Sequence, residues 1–152
     1  MDLSSILLGA QSPDHAVRTH AENLLKEAEQ NDFGKYLVTL ADHLGGSSNN
    51  PESRRLAGLI IKNCVHARDP SVRSQYVERW VQGVDEPGKV HIRRSLVSTL
   101  GAEAPEPRRA AAQVIAKIAA MDMSRPGGWD TLINELLTSC TNATEDLSLI
   151  HI

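Results

Sequence analysis

Aromatic side chains are nearly absent: two Trp, two Tyr and one Phe make up 3% of the 152 residues. Sheet cores draw heavily on aromatic and β-branched residues, whereas the apolar set here is mostly Leu, Ile, Val and Ala, which suits helix packing. Cysteine is as scarce. Cys64 and Cys140 each fall on the apolar face of an expected helix and read as small core residues of a reducing compartment, not as a disulfide or metal pair. No run approaches the ~18 apolar residues of a membrane span, and the opening MDLSSILLGAQ has no basic segment ahead of its short apolar run, so no signal peptide is expected. A net charge of -3 lacks the basic footprint of a phosphate binder, so nucleic acid is not expected as the main partner. The six histidines show no metal-ligand spacing, and no metal or other cofactor is expected. Nothing resembles a nucleophile with its base, and GGSS and RPGGW do not match the spacing of a phosphate loop. Together these absences exclude an enzyme and leave a soluble binding protein of the cytosol or nucleus.

What is present is helix text with clear punctuation. Leu3, Ile6, Leu7 and Ala10 form a short amphipathic segment. Ser12 as cap and Pro13 as first helical residue open the next helix, with Val17, Ala21, Leu24, Leu25 and Ala28 on one face. Asn31 or Asp32 caps a helix burying Phe33, Leu37, Leu40, Ala41 and Leu44, which Gly45-Gly46 ends. GGSSNN, residues 45–50, is a flexible but short connection. Pro70 seeds a helix carrying Val72, Tyr76 and Trp80, and after the Asp85-Glu86-Pro87-Gly88 turn another carries Ile92, Leu96, Val97 and Leu100. Arg93 falls inside that apolar arc, and its stem is expected to pack while its head snorkels to water. Pro105 and Pro107 precede a stripe of Ala111, Val114, Ile115, Ile118 and Ala119, and Trp129 leads into Leu132, Ile133, Leu136, Leu137 and Cys140.

Arg54 to Pro70, RRLAGLIIKNCVHARDP, organises the rest. Read as a helix opened by Asn50-Pro51, it puts Leu56, Leu59, Ile60 and Cys64 on one apolar stripe and Arg55, Lys62 and His66 on another flank. By itself that cationic flank is what any solvated helix face would show. Helix pairs recur roughly every 40 to 55 residues, at or a little beyond the period of HEAT and armadillo repeats. The expected fold is therefore all-α: an α-solenoid of about three and a half HEAT-type hairpins in a right-handed superhelical array.

The wording LAGLIIKN followed by a charged residue, Asp and Pro resembles the second repeat of importin-β, the karyopherin-β nuclear import receptors. The likeness continues through LSSILLGAQSPD, LLKEAEQNDFGKYLVTLADHL, VERW, LVSTLG and GWDTLINELL, in that order. It implies an importin N-terminal domain over residues 21–101. It also implies a first repeat at 1–31, a second at 32–68, a linking helix and third repeat at 70–123, and the outer helix of a fourth at 129–141. Inner helices would run from Pro13 to Asn31, Pro51 to Arg68 and Pro107 to Met121. The resemblance implies binding of the small GTPase Ran in its GTP form through these inner helices, in the cytoplasm, the nucleus and at the pore. Lys62 matches the lysine of the family's IKN, and Arg68 stands where the family has lysine before Asp-Pro; both are expected to face Ran. Arg55, Arg109 and Lys117 join them from the helical wheel alone. The family's main sites for importin-α, cargo and nucleoporins lie beyond these repeats. The tail at 142–152, with Leu147, Leu149 and Ile150, departs from the family and reads as truncated or atypical. The other readings open at this point are a generic HEAT-repeat scaffold and a fragment without independent function.

Overall fold

The computed structural model describes residues 2–123 and 125–150, with side chains given up to Thr141. Eight helices are formed among the described residues: α1 (Leu3–Gly9), α2 (His15–Asn31), α3 (Phe33–Gly45), α4 (Pro51–Val65), α5 (Pro70–Gly83), α6 (Glu86–Thr99), α7 (Pro105–Asp122) and α8 (Leu132–Ile150). Each of the first six begins on an Asp or Asn whose side chain accepts from first-turn N–H groups: Asp2, Asp14, Asp32, Asn50, Asp69 and Asp85. Proline follows the cap directly in α4 and α5, where its missing N–H costs nothing.

The helices stack in two rows. One contains α3, α6 and α8, the other α4 and α7, and within each pair α3 lies on α4 and α6 on α7. α1 bridges α2 and α4, and α5 sits beside α4 as a link between pairs. One continuous core runs through the stack, from Leu7 and Leu37 through Leu56, Ile61, Ile92 and Leu96 to Val114, Ile118 and Trp129. Burying each such Leu, Ile or Val stabilises the array by about 1.5–3 kcal/mol. The α4–α7 contact is close because Gly58 faces Ala110. A Cβ placed on Gly58 would lie 2.7 Å from that methyl.

A recurring clasp closes the turns. Arg18, Arg73 and Arg108 each reach back six residues to a carbonyl, on Ser12, Ala67 and Ala102, at 3.0–3.1 Å. Arg54 does the same across the longer 45–50 connection, donating Nε to Leu44 O at 2.8 Å. Asn49 ties that connection down further by donating Nδ2 to the His43 carbonyl at 3.1 Å.

Several expectations need correction. α2 starts at His15 on Asp14, because that carboxylate accepts from Ala16 N and Val17 N, while Ser12 only supports the Asp14 N–H from outside the helix. Of the expected α2 stripe only Ala21 is buried, and Val17 is 47% exposed. The buried stripe of α4 is Leu56, Ala57, Ile61, Cys64 and Val65, with Leu59 outside it, since neighbours on two sides turn the helix from the simple wheel. Arg93 does not snorkel: its guanidinium is buried against Asp122, with Nη2 2.6 Å from Oδ2. Asp122 also accepts from Trp80 Nε1 at 3.0 Å, and Arg93 lies over the Trp129 ring. Cys64 is buried but Cys140 is exposed, because no described helix covers that side of α8. The outer helix expected at 129–141 instead begins at Leu132 and continues to Ile150, Trp129 being a buried anchor in the preceding turn. The side chains of Leu147, Leu149 and Ile150, like the rest of the 142–152 tail, lie outside the described residues.

Candidate functional site

The expected contact residues lie along the row of α4 and α7. Lys62 is half-buried in the last turn of α4, and Lys117 is half-buried on α7. Arg68 is exposed just past the end of α4, in the loop that Asp69 closes by capping α5. The loop is held by Arg73, whose Nε donates to Ala67 O at 3.1 Å and Nη2 to Arg68 O at 3.0 Å.

Arg73 and Lys117 share a cleft with His66, and Lys62 and Arg68 add to the positive field there. Partial burial, followed by the positive field of Lys117, Arg73, Lys62 and Arg68, holds the His66 imidazole below the ordinary histidine range. A cleft of about 410 Å³ opens here between α4, α5 and α7; His66, Arg73, Lys117 and Arg125 line it above an apolar floor that includes Val65 and Val77. Cations over an apolar floor favour an acidic protein surface that also offers aliphatic contact.

Arg55 and Arg109 stand apart from this cluster. Arg55 is two helical turns, ~10 Å, from Lys62 along α4, and its Nε and Nη2 donate to the two carboxylate oxygens of Glu52, at 3.0 and 2.6 Å. Arg109 is exposed in the second turn of α7, ~12 Å along the axis from Lys117. Arg73 and Arg125 belong to the cluster and were not among the expected residues. The available signal for Arg73 was its six-residue spacing from Ala67, shared with two other turns.

Among the described residues there is no group of three or more His, Cys, Asp or Glu side chains placed to hold a metal, and no helix is long and apolar enough to cross a membrane. Burial pushes the Cys64 thiol up to about 12, which leaves it unreactive.

Stacked helical pairs with a cationic cleft along one row define a solenoid of the HEAT type. Residues 21–102 match the importin-beta N-terminal domain, and the chain belongs to the importin-β family. It is 37% identical over 139 residues to importin subunit beta-1 of Arabidopsis thaliana and 32% identical over 139 residues to that of Schizosaccharomyces pombe. In both cases the match covers 91% of this chain and 16% of the relative, so the chain spans about one sixth of their length. Among solved structures, importin beta crystallised in an ammonium sulfate condition superposes with a TM-score of 0.84 at 31% identity, covering 89% of this chain and 16% of that one. Kap95p in the complex where its binding induces the switch loops of RanGDP to adopt the GTP-bound conformation superposes at 0.81 and 28% identity, covering 87% and 16%.

Proposed function

We propose that this chain is the N-terminal portion of a nuclear import receptor that binds the GTP form of Ran through the cleft around His66. The observation that carries the reading is the cationic cleft lined by His66, Arg73, Lys117 and Arg125 along the α4–α7 row, with Lys62 and Arg68 adding to the positive field on His66. Lys62 and Arg68 make the principal contacts, Lys117 flanks them, and Arg55 and Arg109 form the outer edge. The switch loops of a GTPase are ordered by the γ-phosphate, so a receptor docking on them reads the nucleotide without touching it. On this reading the repeats divide at 1–31, 32–68 and 70–123, and the protein works in the cytoplasm, the nucleus and at the pore. Importin-α, cargo and nucleoporins would be engaged by longer family members. The complex of Kap95p with Nup1 makes nucleoporins a natural partner class for the family fold.

The test is a calorimetric titration of the chain against Ran loaded with a non-hydrolysable GTP analogue and, separately, with GDP. At least tenfold tighter binding to the GTP form, lost on Lys62→Ala and weakened by Lys117→Ala, is expected. Equal binding of the two forms by a monodisperse helical protein would overturn the reading in favour of a scaffold blind to nucleotide state.

A further inference from the structure

Of α5 only Trp80 is buried, and the helix leans mainly on α4. One side of it is left as the wall of a second hollow, beyond the cleft around His66. This hollow of about 420 Å³ is lined by Ser74, Val77, Glu78, Val81 and Gln82 of α5, with Arg125 as the lining residue from outside that helix. Val77 and Arg125 line the cleft as well, so the two spaces adjoin and form one trough along α5. Arg125 is set at the junction by its turn. Its N–H donates to Asp122 O and its carbonyl accepts from Gly128 N, both at 3.1 Å. A Cβ on Gly128 would lie 1.9 Å from Asp122 O, so this turn presses directly on the end of α7.

The two ends of the trough differ in charge. No acidic side chain lines the cleft, and among the described residues no ion pair engages Arg73, Lys117 or Arg125. Grouped cations without a counter-charge favour a carboxylate, which accepts charge-assisted hydrogen bonds from them. In the hollow beyond, the charged side chain besides Arg125 is Glu78, and the half-buried Val77 and Val81 supply apolar surface between the ends. From Arg73 to Gln82 the lining of α5 rises ~13 Å. An extended chain turns every second side chain to one face, and three such side chains span the same ~13 Å at ~3.3 Å per residue. We infer that the trough takes an extended segment of a partner protein with an acidic, an aliphatic and a basic residue at alternate positions. The carboxylate sits among Arg73, Lys117 and Arg125, the aliphatic side chain on Val77 and Val81, and the cation against Glu78. This rests on the reading of the cleft as the partner's dock and adds the form of what enters it.

The test titrates the full chain, ¹⁵N-labelled, with two end-capped peptides, ESLSK and its reversal KSLSE, at constant ionic strength. Saturable amide shifts confined to residues 73–82, 117 and 125–128 are expected, and the tighter peptide gives the direction of the bound segment. Replacing its glutamate by glutamine should weaken binding at least tenfold, and replacing its leucine by serine should weaken it several-fold. Arg125→Glu, in an exposed turn position, should do the same as the glutamine peptide with an unchanged melting temperature. Glu78→Lys should reverse the preference at the far end, so that a peptide with glutamate in place of the lysine becomes the tighter ligand. Shifts that are absent or unsaturable, a glutamine peptide that binds equally, or a Glu78→Lys chain with unaltered preference would overturn the inference. Ran takes no part in this titration, so the two readings fail separately. Peptide binding by a chain indifferent to the nucleotide on Ran keeps the trough and sinks the nucleotide reading, whereas Ran-GTP binding by a chain that ignores both peptides sinks the trough alone.

Discussion

Removing the Asp122 carboxylate should be the most damaging single change to the far end of the array. Asp122 is 3% exposed and serves two partners from different helices, Arg93 of α6 and Trp80 of α5. Asp122→Ala strands a buried guanidinium, worth about 3–5 kcal/mol when one member of a buried pair is deleted. It also leaves the Trp80 N–H unpaired, at about 1–3 kcal/mol. The terms share one site and do not add fully, so a loss of about 4 kcal/mol is expected. At roughly 3 °C per kcal/mol for a domain of this size, the melting temperature should fall by about 12 °C. Arg93 already has a buried Nε without a partner, so the cluster has no reserve of acceptors. Urea unfolding followed by circular dichroism measures the loss. The double variant Arg93→Met/Asp122→Leu, which removes both charges and keeps volume, should recover much of it. A loss below about 1 kcal/mol for Asp122→Ala, or a double variant as unstable as the sum of the singles, would refute the argument.

Gly58→Leu should destabilise the protein by about 1–3 kcal/mol through overpacking of α4 against Ala110, measurable by thermal unfolding. Binding of an acidic partner at the cleft should strengthen as pH falls from 7.5 to 6. His66 is held below its ordinary range in the free protein, and an opposing negative surface raises it, so complex formation takes up a proton. Calorimetry in buffers of different ionisation enthalpy detects that uptake, and an identical pH slope in His66→Gln would disprove it. In the native state a maleimide should label Cys140 and leave Cys64 unmodified until the protein unfolds, since one is exposed and the other buried with its thiol pushed up to about 12.

Helix number and order were legible because most starts carry their own chemistry: Asp32, Asn50-Pro51, Asp69-Pro70 and the Asp85 turn all cap helices. Ser12-Pro13 misled because Asp14, a better acceptor with two N–H groups in reach, sits two residues on. Periodicity finds an apolar face but not which part of it a neighbour covers, which is why Leu59, Val17 and Cys140 lie outside the core. The Arg93 pairing joins positions 29 apart, beyond any local pattern. Of the expected contact residues Lys117, placed by its face on α7, lines the cleft, while Lys62 and Arg68, named by family wording, do not line it and reach His66 only through their charge. Arg73 was passed over because its six-residue reach back to Ala67 carries no apolar or motif signal, although the contact is local.

The arginine clasps carry a consequence for how such chains grow. At Arg18, Arg73 and Arg108 the fastening closes within seven consecutive residues and borrows nothing from a neighbouring unit. A segment duplicated in tandem would bring its own fastening with it. Lengthening the array then demands new side chains only on the faces that meet, and each added corner is already rigid when it is copied. Flexing of a longer chain would accordingly be distributed over sliding helix faces, as in a coil spring, with the corners acting as fixed links.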